Sequence, residues 1–131
     1  MPGYPFWLNL CGGARFNAQD QKQLSTHYVG NAVDIEAGDS DKVCQQSKTY
    51  GVAVYLGTIE RPRDRTGMSL YCLMVYIDQQ GHIQSIHRKL MPTYEERLVW
   101  SPGDGHGLTT HALRGFTVGG LNCWENWIPL A

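Results

Sequence analysis

A chain of 131 residues with 42% hydrophobic side chains is long enough for one domain with a real core, and it has no low-complexity tract that would point to disorder. The 11 basic and 12 acidic residues leave a net charge of −1, and Glu60 and Asp64 interrupt the one local basic cluster, Arg61, Arg63 and Arg65, so nothing calls for nucleic acid or an anionic membrane as partner. No apolar stretch approaches a membrane span, and Met1 to Trp7 lacks the basic start and apolar centre of a signal peptide.

Residues 1–19, rich in Pro, Gly and aromatics, read as an ordered loop. A helix is predicted over 20–29 with Asp20 as its cap, and a second opens at Asp39-Ser40-Asp41 and runs to Tyr50, where Gly51 ends it. Val52 to Ile59 is apolar at both parities, which predicts an interior strand covered on both faces. A charged loop over 61–68 leads to a strand from Leu70 to Ile77. Gln79-Gln80-Gly81 forms a short hairpin connection, and the return strand over 82–88 delivers Lys89 to its end. Residues 91–108 hold Pro92, Pro102, Gly103, Gly105 and Gly107. That makes a long connection of the kind usually tied to function. Leu113 to Asn122 supplies a last strand, or two short ones broken at Gly115, and Trp124 to Ala131 reads as the first turns of a helix. The pattern predicts one α/β domain.

Two positions suggest chemistry. Cys123 follows an apolar run and two glycines, at a strand-to-helix turn, where a thiol is exposed and backbone N–H groups point at a substrate. A thiol attacks well only as thiolate, so Cys123 needs a base or a positive field. Lys89, at a strand end before the glycine-rich connection, would supply charge that stabilises developing negative charge or donates a proton. Each has a plainer reading: a small buried apolar residue for the cysteine, a solvated surface cation for the lysine. Either Glu95 or Glu96, buried near Lys89, would orient the ammonium or act as a base; otherwise the pair is a solvated helix face or a cap. His87, His106 and His111 allow a cysteine–histidine pair, and His87 shares a strand face with Lys89. Glu125 and Asn126 are better placed to cap or brace the turn than to react. Most of Tyr4, Phe6, Trp7, Trp100, Trp124 and Trp127 belong to core or interface, with one or two free to line an apolar substrate pocket. Cys11, Cys44, Cys72 and Cys123 show no C-x-x-C pair and no paired His spacing, which argues against zinc and for reduced thiols in a cytoplasmic protein.

The ordered set Pro2-Gly3-Tyr4-Pro5-Phe6-Trp7, Asn31-Ala32-Val33, the Tyr50-to-Glu60 strand, His87-Arg88-Lys89-Leu90-Met91-Pro92-Thr93, Glu96-Arg97-Leu98-Val99-Trp100, Gly103-Asp104-Gly105 and Cys123-Trp124-Glu125-Asn126 resembles the nitrilase branch of the carbon–nitrogen hydrolase superfamily. Cys-Trp-Glu-Asn is similar to the form found in nitrilases and cyanide-degrading relatives more than in amidases. The resemblance implies a four-layer α-β-β-α sandwich and a Glu-Lys-Cys triad, with Cys123 as nucleophile, Lys89 as the triad lysine, Glu96 as an additional glutamate that positions substrate and lysine, and the Trp124 N–H as a contact for the substrate's nitrogen. His87 is then a neighbour rather than the base. No metal or organic cofactor is implied.

The family's general-base glutamate lies a few residues before the stretch matching Pro2, and its catalytic domain continues past the cysteine. Residues 1–131 are therefore expected to be the central segment of a single domain lacking its N-terminal and C-terminal parts. The expected activity of the complete protein is hydrolysis of a small-molecule nitrile to a carboxylic acid and ammonia through a thioimidate. Cyanide hydration or dihydration and amide hydrolysis are the alternatives within the fold, and a catalytically inactive fragment is the alternative outside it. Homo-oligomerisation is implied by the resemblance alone.

Overall fold

The computed structural model describes residues 19–63 and 69–129. Two helices come first: α1 spans Gln19–Gly30 and α2 spans Asp41–Tyr50. Gly51 adopts a left-handed conformation (φ 61°, ψ 36°) that closes α2, and the N–H groups of Gly51 and Val52 reach back to the carbonyls of Lys48 and Ser47. Asp41 in the first turn and Lys48 in the last suit the helix dipole. α1 begins before Asp20, so Asp20 lies within its first turn and is not the cap. The predicted N-terminal loop and most of the charged loop fall outside the described residues.

Three strands, β1 (Val54–Glu60), β2 (Tyr71–Ile77) and β3 (Ile83–Arg88), form an antiparallel meander with β2 in the middle. This corrects the expectation that the Val52–Ile59 run is an interior strand. β1 is an edge with alternating exposure, and β2 is the strand that is buried nearly throughout. Apolar content states what a segment can bury; hydrogen-bonded neighbours on both sides decide what it does bury. Part of the outer edge of β1 is covered, where the Val33 N–H donates to Ile59 O (2.8 Å) and the Arg61 N–H donates to Val33 O (2.9 Å).

Register fixes the two faces of the sheet. Gly57 pairs with Met74 and Met74 with His87, while Leu56 pairs with Val75 and Val75 with Ile86. Side chains alternate, so Cys72, Met74, Tyr76, Ser85 and His87 share one face and Leu73, Val75, Ile77 and Ile86 the other. Ile35, Tyr71, Leu73, Val75 and Ile77 form the larger core, against which Val43 and Cys44 of α2 pack. Ile59, Leu70, Cys72 and Trp100 form a second cluster with Tyr28 and Val29 of α1. Burying each large aliphatic side chain contributes roughly 1.5–3 kcal/mol. The Arg63–Asp34 pair, whose arginine is 74% exposed, is of a kind that contributes about 1 kcal/mol at most. The sheet and its two clusters therefore hold the fold.

Past β3 the connection over 91–108 contains a 3-10 turn, Tyr94–Leu98. Its glycines let the chain run against β3: a Cβ on Gly103 would lie 2.1 Å from Arg88 O, and one on Gly107 would lie 2.2 Å from Ile86 O. The predicted last strand is two short ones, β4 (His111–Leu113) and β5 (Phe116–Val118), in a hairpin that turns at Arg114 (φ 50°) and Gly115 (φ 84°). The helix expected from Trp124 is a 3-10 turn of five residues, Cys123–Trp127, that begins at Cys123 itself and is capped by Ile128. Ile128 precedes Pro129, whose ring disfavours a helical conformation at the residue before it.

Candidate active site

Lys89 directly follows β3, and its N–H donates to Cys72 O (2.9 Å), which continues the pairing with β2. Its side chain is fully buried, and Nζ donates to Glu96 Oε2 at 2.5 Å. Glu96 reaches that point from the 3-10 turn. Thr93 and Glu96 form a capping box, and the Thr93 N–H donates to the same Oε2 at 2.7 Å. Withdrawing an ammonium from water costs several kcal/mol unless a partner offsets it. Among the described residues Glu96 is that partner. The Glu96 carboxylate therefore meets the lysine.

Cys123 opens the 3-10 turn Cys123–Trp127, exposed and with φ 60°. A non-glycine residue in the left-handed region is strained by about 1–3 kcal/mol and needs its surroundings to hold it there. The holding group is Glu125. Asn122 and Glu125 form a second capping box, and the Glu125 carboxylate, fully buried, accepts the Asn122 N–H (2.6 Å), the Leu90 N–H (2.7 Å) and His87 Nε2–H (2.8 and 2.9 Å to its two oxygens). Burial pushes the Glu125 carboxyl up, but the His87 bond and the two backbone N–H groups outweigh it and hold the group below the ordinary carboxylate range. It is an anion at neutral pH, and His87 carries its proton on Nε2. His87 Nδ1 is buried without a partner among the described residues.

A third link runs through Cys72, whose Sγ accepts from Asn122 Nδ2 at 3.2 Å. Burial raises the Cys72 thiol, opposed by the Asn122 bond and the charge of Lys89, with Glu96 and Glu125 adding to the rise. The buried Cys72 sulfur thus feels the charges of Lys89, Glu96 and Glu125 while it is bonded to the residue that precedes Cys123.

The structure brings Lys89 and Glu96 into direct contact and docks the Cys123 turn onto the strand that carries Lys89. It does not bring Cys123 Sγ and Lys89 Nζ into hydrogen-bond contact. Trp124 lies in the turn with its ring outward, 6.2 Å from the tilted Trp127 ring. The first 3-10 bond of the turn is donated by Glu125 to Asn122 O (3.2 Å), so the Cys123 and Trp124 N–H groups precede it and have no acceptor within the turn. His87 is bound to Glu125 and does not face the thiol. His111 stacks on Tyr76 with centroids 4.1 Å apart, bonded to Ser85, and His106 pairs with Asp104 on the exposed loop. Neither enters the site. The Glu125–Leu90 tether went unread in the sequence, although the Asn-x-x-Glu spacing that announces a capping box was there to see. Among the described residues no cluster of His, Cys, Asp and Glu is arranged to hold a metal ion.

An α/β chain with a strained, exposed cysteine over a buried lysine–glutamate pair belongs to a known class. Residues 2–131 match the carbon–nitrogen hydrolase model, and the chain belongs to that family. Curated proteins similar to it include ones named nitrilase and bifunctional nitrilase/nitrile hydratase. It is 35% identical over 130 residues to nitrilase 2 of an unknown prokaryotic organism, covering 99% of this chain and 40% of that protein. It is 36% identical over 109 residues to a bifunctional nitrilase/nitrile hydratase of Nicotiana tabacum, covering 83% and 30%. With an aliphatic nitrilase of Rhodococcus rhodochrous the identity is 32% over 131 residues, covering 100% and 32%. The chain therefore spans well under half the length of the curated relatives it matches.

Proposed function

We propose that residues 1–131 form the central segment of the catalytic domain of a nitrilase, which hydrolyses an organic nitrile to a carboxylic acid and ammonia. The observation that carries this reading is the convergence at one strand end of the buried Lys89–Glu96 ion pair and the left-handed Cys123. The named nitrilase relatives and the family match support it, and in this reading the segment belongs to a four-layer α-β-β-α sandwich.

In this mechanism Cys123 thiolate attacks the nitrile carbon. Lys89 and the Trp124 N–H stabilise the charge that develops on nitrogen, and protonation of that nitrogen gives a thioimidate. Water adds to the thioimidate carbon, the C–N bond breaks, and ammonia leaves a thioester. A second water releases the acid and restores the thiol. The general base is a glutamate contributed from outside these residues; Glu96 holds the lysine in place through its hydrogen bond. The chemistry is complete without metal or organic cofactor, since the cysteine supplies the covalent step and carboxylates the proton transfers. The enzyme so described works in the cytoplasm as a homo-oligomer. Among the described residues no helix is long and apolar enough to cross a membrane.

The test is Cys123→Ala in the full-length protein that carries this segment. Ammonia release from aliphatic, aromatic and arylacetonitriles should fall to background with the fold unchanged by circular dichroism; retained release would remove the assignment. Product analysis of the unaltered enzyme separates the related chemistries: acid from a nitrile marks a nitrilase, formamide from cyanide a cyanide hydratase, and acid from an amide alone an amidase.

A further inference from the structure

Glu125 and His87 are fully buried, mutually bonded, and unused by the mechanism above. Their neighbours in the chain give the pair its interest. Asn122, whose N–H Glu125 accepts, immediately precedes Cys123. His87 and Leu90, both donors to Glu125, bracket Lys89. A single carboxylate thus grips the backbone on the nucleophile's side and the strand on the lysine's side.

We propose that the Glu125–His87 pair is a positioning device that registers the Cys123 turn against Lys89, so that thiol and ammonium address the same carbon–nitrogen bond. This rests on the reading of Cys123 as nucleophile and Lys89 as charge stabiliser, and it gives a second buried acid–base pair a task that the triad does not cover.

The donor arrangement specifies a carboxylate. Oε1 accepts from His87 and Leu90, and Oε2 accepts from His87 and Asn122. A glutamine at this position would turn its NH2 toward one of the two backbone N–H groups, and donor against donor breaks that contact. An aspartate is one methylene too short to reach all three donors from the same turn. Either change loosens one side of the grip while leaving the catalytic side chains themselves chemically unaltered. Glu96 occupies the equivalent third position of the other capping box but bonds the lysine side chain itself. The two turns therefore divide the work: one sets the ammonium, the other sets the distance between the two strand ends.

The experiment uses the full-length hydrolase and the variant Glu125→Gln. Steady-state kinetics on a nitrile substrate are normalised to the Cys123 thiols that iodoacetamide titrates in the folded protein. Loss of placement should lower kcat per titrated thiol about 10²-fold, with KM changed by less than about twofold, the scale on which a misplacement of about 1 Å acts. A purely structural role would reduce the number of titratable sites and leave kcat per site at the unaltered value; that result overturns the proposal. If Glu125→Gln does not fold, the pair His87→Phe and His87→Gln decides. His87→Phe removes the donor and should lower kcat, and His87→Gln restores a donor and should recover part of it. Equal rates in these two variants also overturn the proposal. Turnover surviving in Cys123→Ala would instead defeat the underlying assignment. A dead Cys123→Ala beside fully active Glu125→Gln or His87→Phe would defeat the positioning role alone.

Discussion

Cys72 and Cys123 carry the same thiol in opposite settings. Cys72 is 3% exposed, lies between Leu70 and Trp100 in the smaller core, and is raised by burial. Cys123 stands on an exposed turn. Thiolate fraction and access together set alkylation rate, so under native conditions iodoacetamide should modify Cys123 well before Cys72, as read by peptide mass spectrometry; comparable rates would contradict the burial of Cys72. At this scale the sequence was informative about identity and poor about partners. Lys89 and Cys123 stand at ends of readable strands, and Glu96 follows Thr93 at capping-box spacing. That Glu96 rather than Glu95 meets the lysine, and that His87 serves Glu125 rather than the thiol, depends on which way each short turn rolls against β3.

The candidate site is carried by two 3-10 turns, Tyr94–Leu98 and Cys123–Trp127, each opened by a capping box whose glutamate is buried. Capping normally satisfies orphan N–H groups with a solvated side chain. Here the same carboxylates extend inward, and local structure and active-site geometry become one set of bonds. The glycine-rich connection sets the other side of β3. Adding a methyl group at Gly107 would drive it to 2.2 Å from Ile86 O and 2.3 Å from His87 Cα. Gly107→Ala should therefore destabilise the domain by about 1–3 kcal/mol in urea unfolding, the usual cost of overpacking against an element that cannot move freely. Gly57→Ala is the control: nothing lies within 4 Å of its added Cβ and its φ is not positive, so its change should stay within about 0.5 kcal/mol. Equal effects of the two substitutions would show that the 91–108 connection is not packed on β3 as described. The strands, α2 and the hairpin turn at Gly115 were legible because each has a local cause. The 3-10 form of the two turns was not, since five residues are too few for a periodic signal.

Among the described residues, the sheet has β1 at one edge, where only Val33 bridges its outer side, and several large apolar side chains face outward, among them Phe116 at 74% and Trp127 at 78% exposed. Open edges and outward aromatics favour association with other chain. The 131-residue chain on its own should self-associate in size-exclusion chromatography with light scattering and release no ammonia from nitriles. A monodisperse, active monomer would instead show that one of the groups described here serves as the base. The sequence by itself determined the family and the α/β class and marked Cys123 and Lys89 as candidates, because motif order, apolar runs and the position of Cys123 after two glycines are local properties of the chain. Tertiary structure alone decided that β2 rather than β1 is central among the described residues, that Lys89 pairs with Glu96, and that Glu125 ties the Cys123 turn to the end of β3. Those outcomes are pairings between segments up to 38 residues apart, and which partner a buried charge takes is fixed only when packing excludes water and every other candidate.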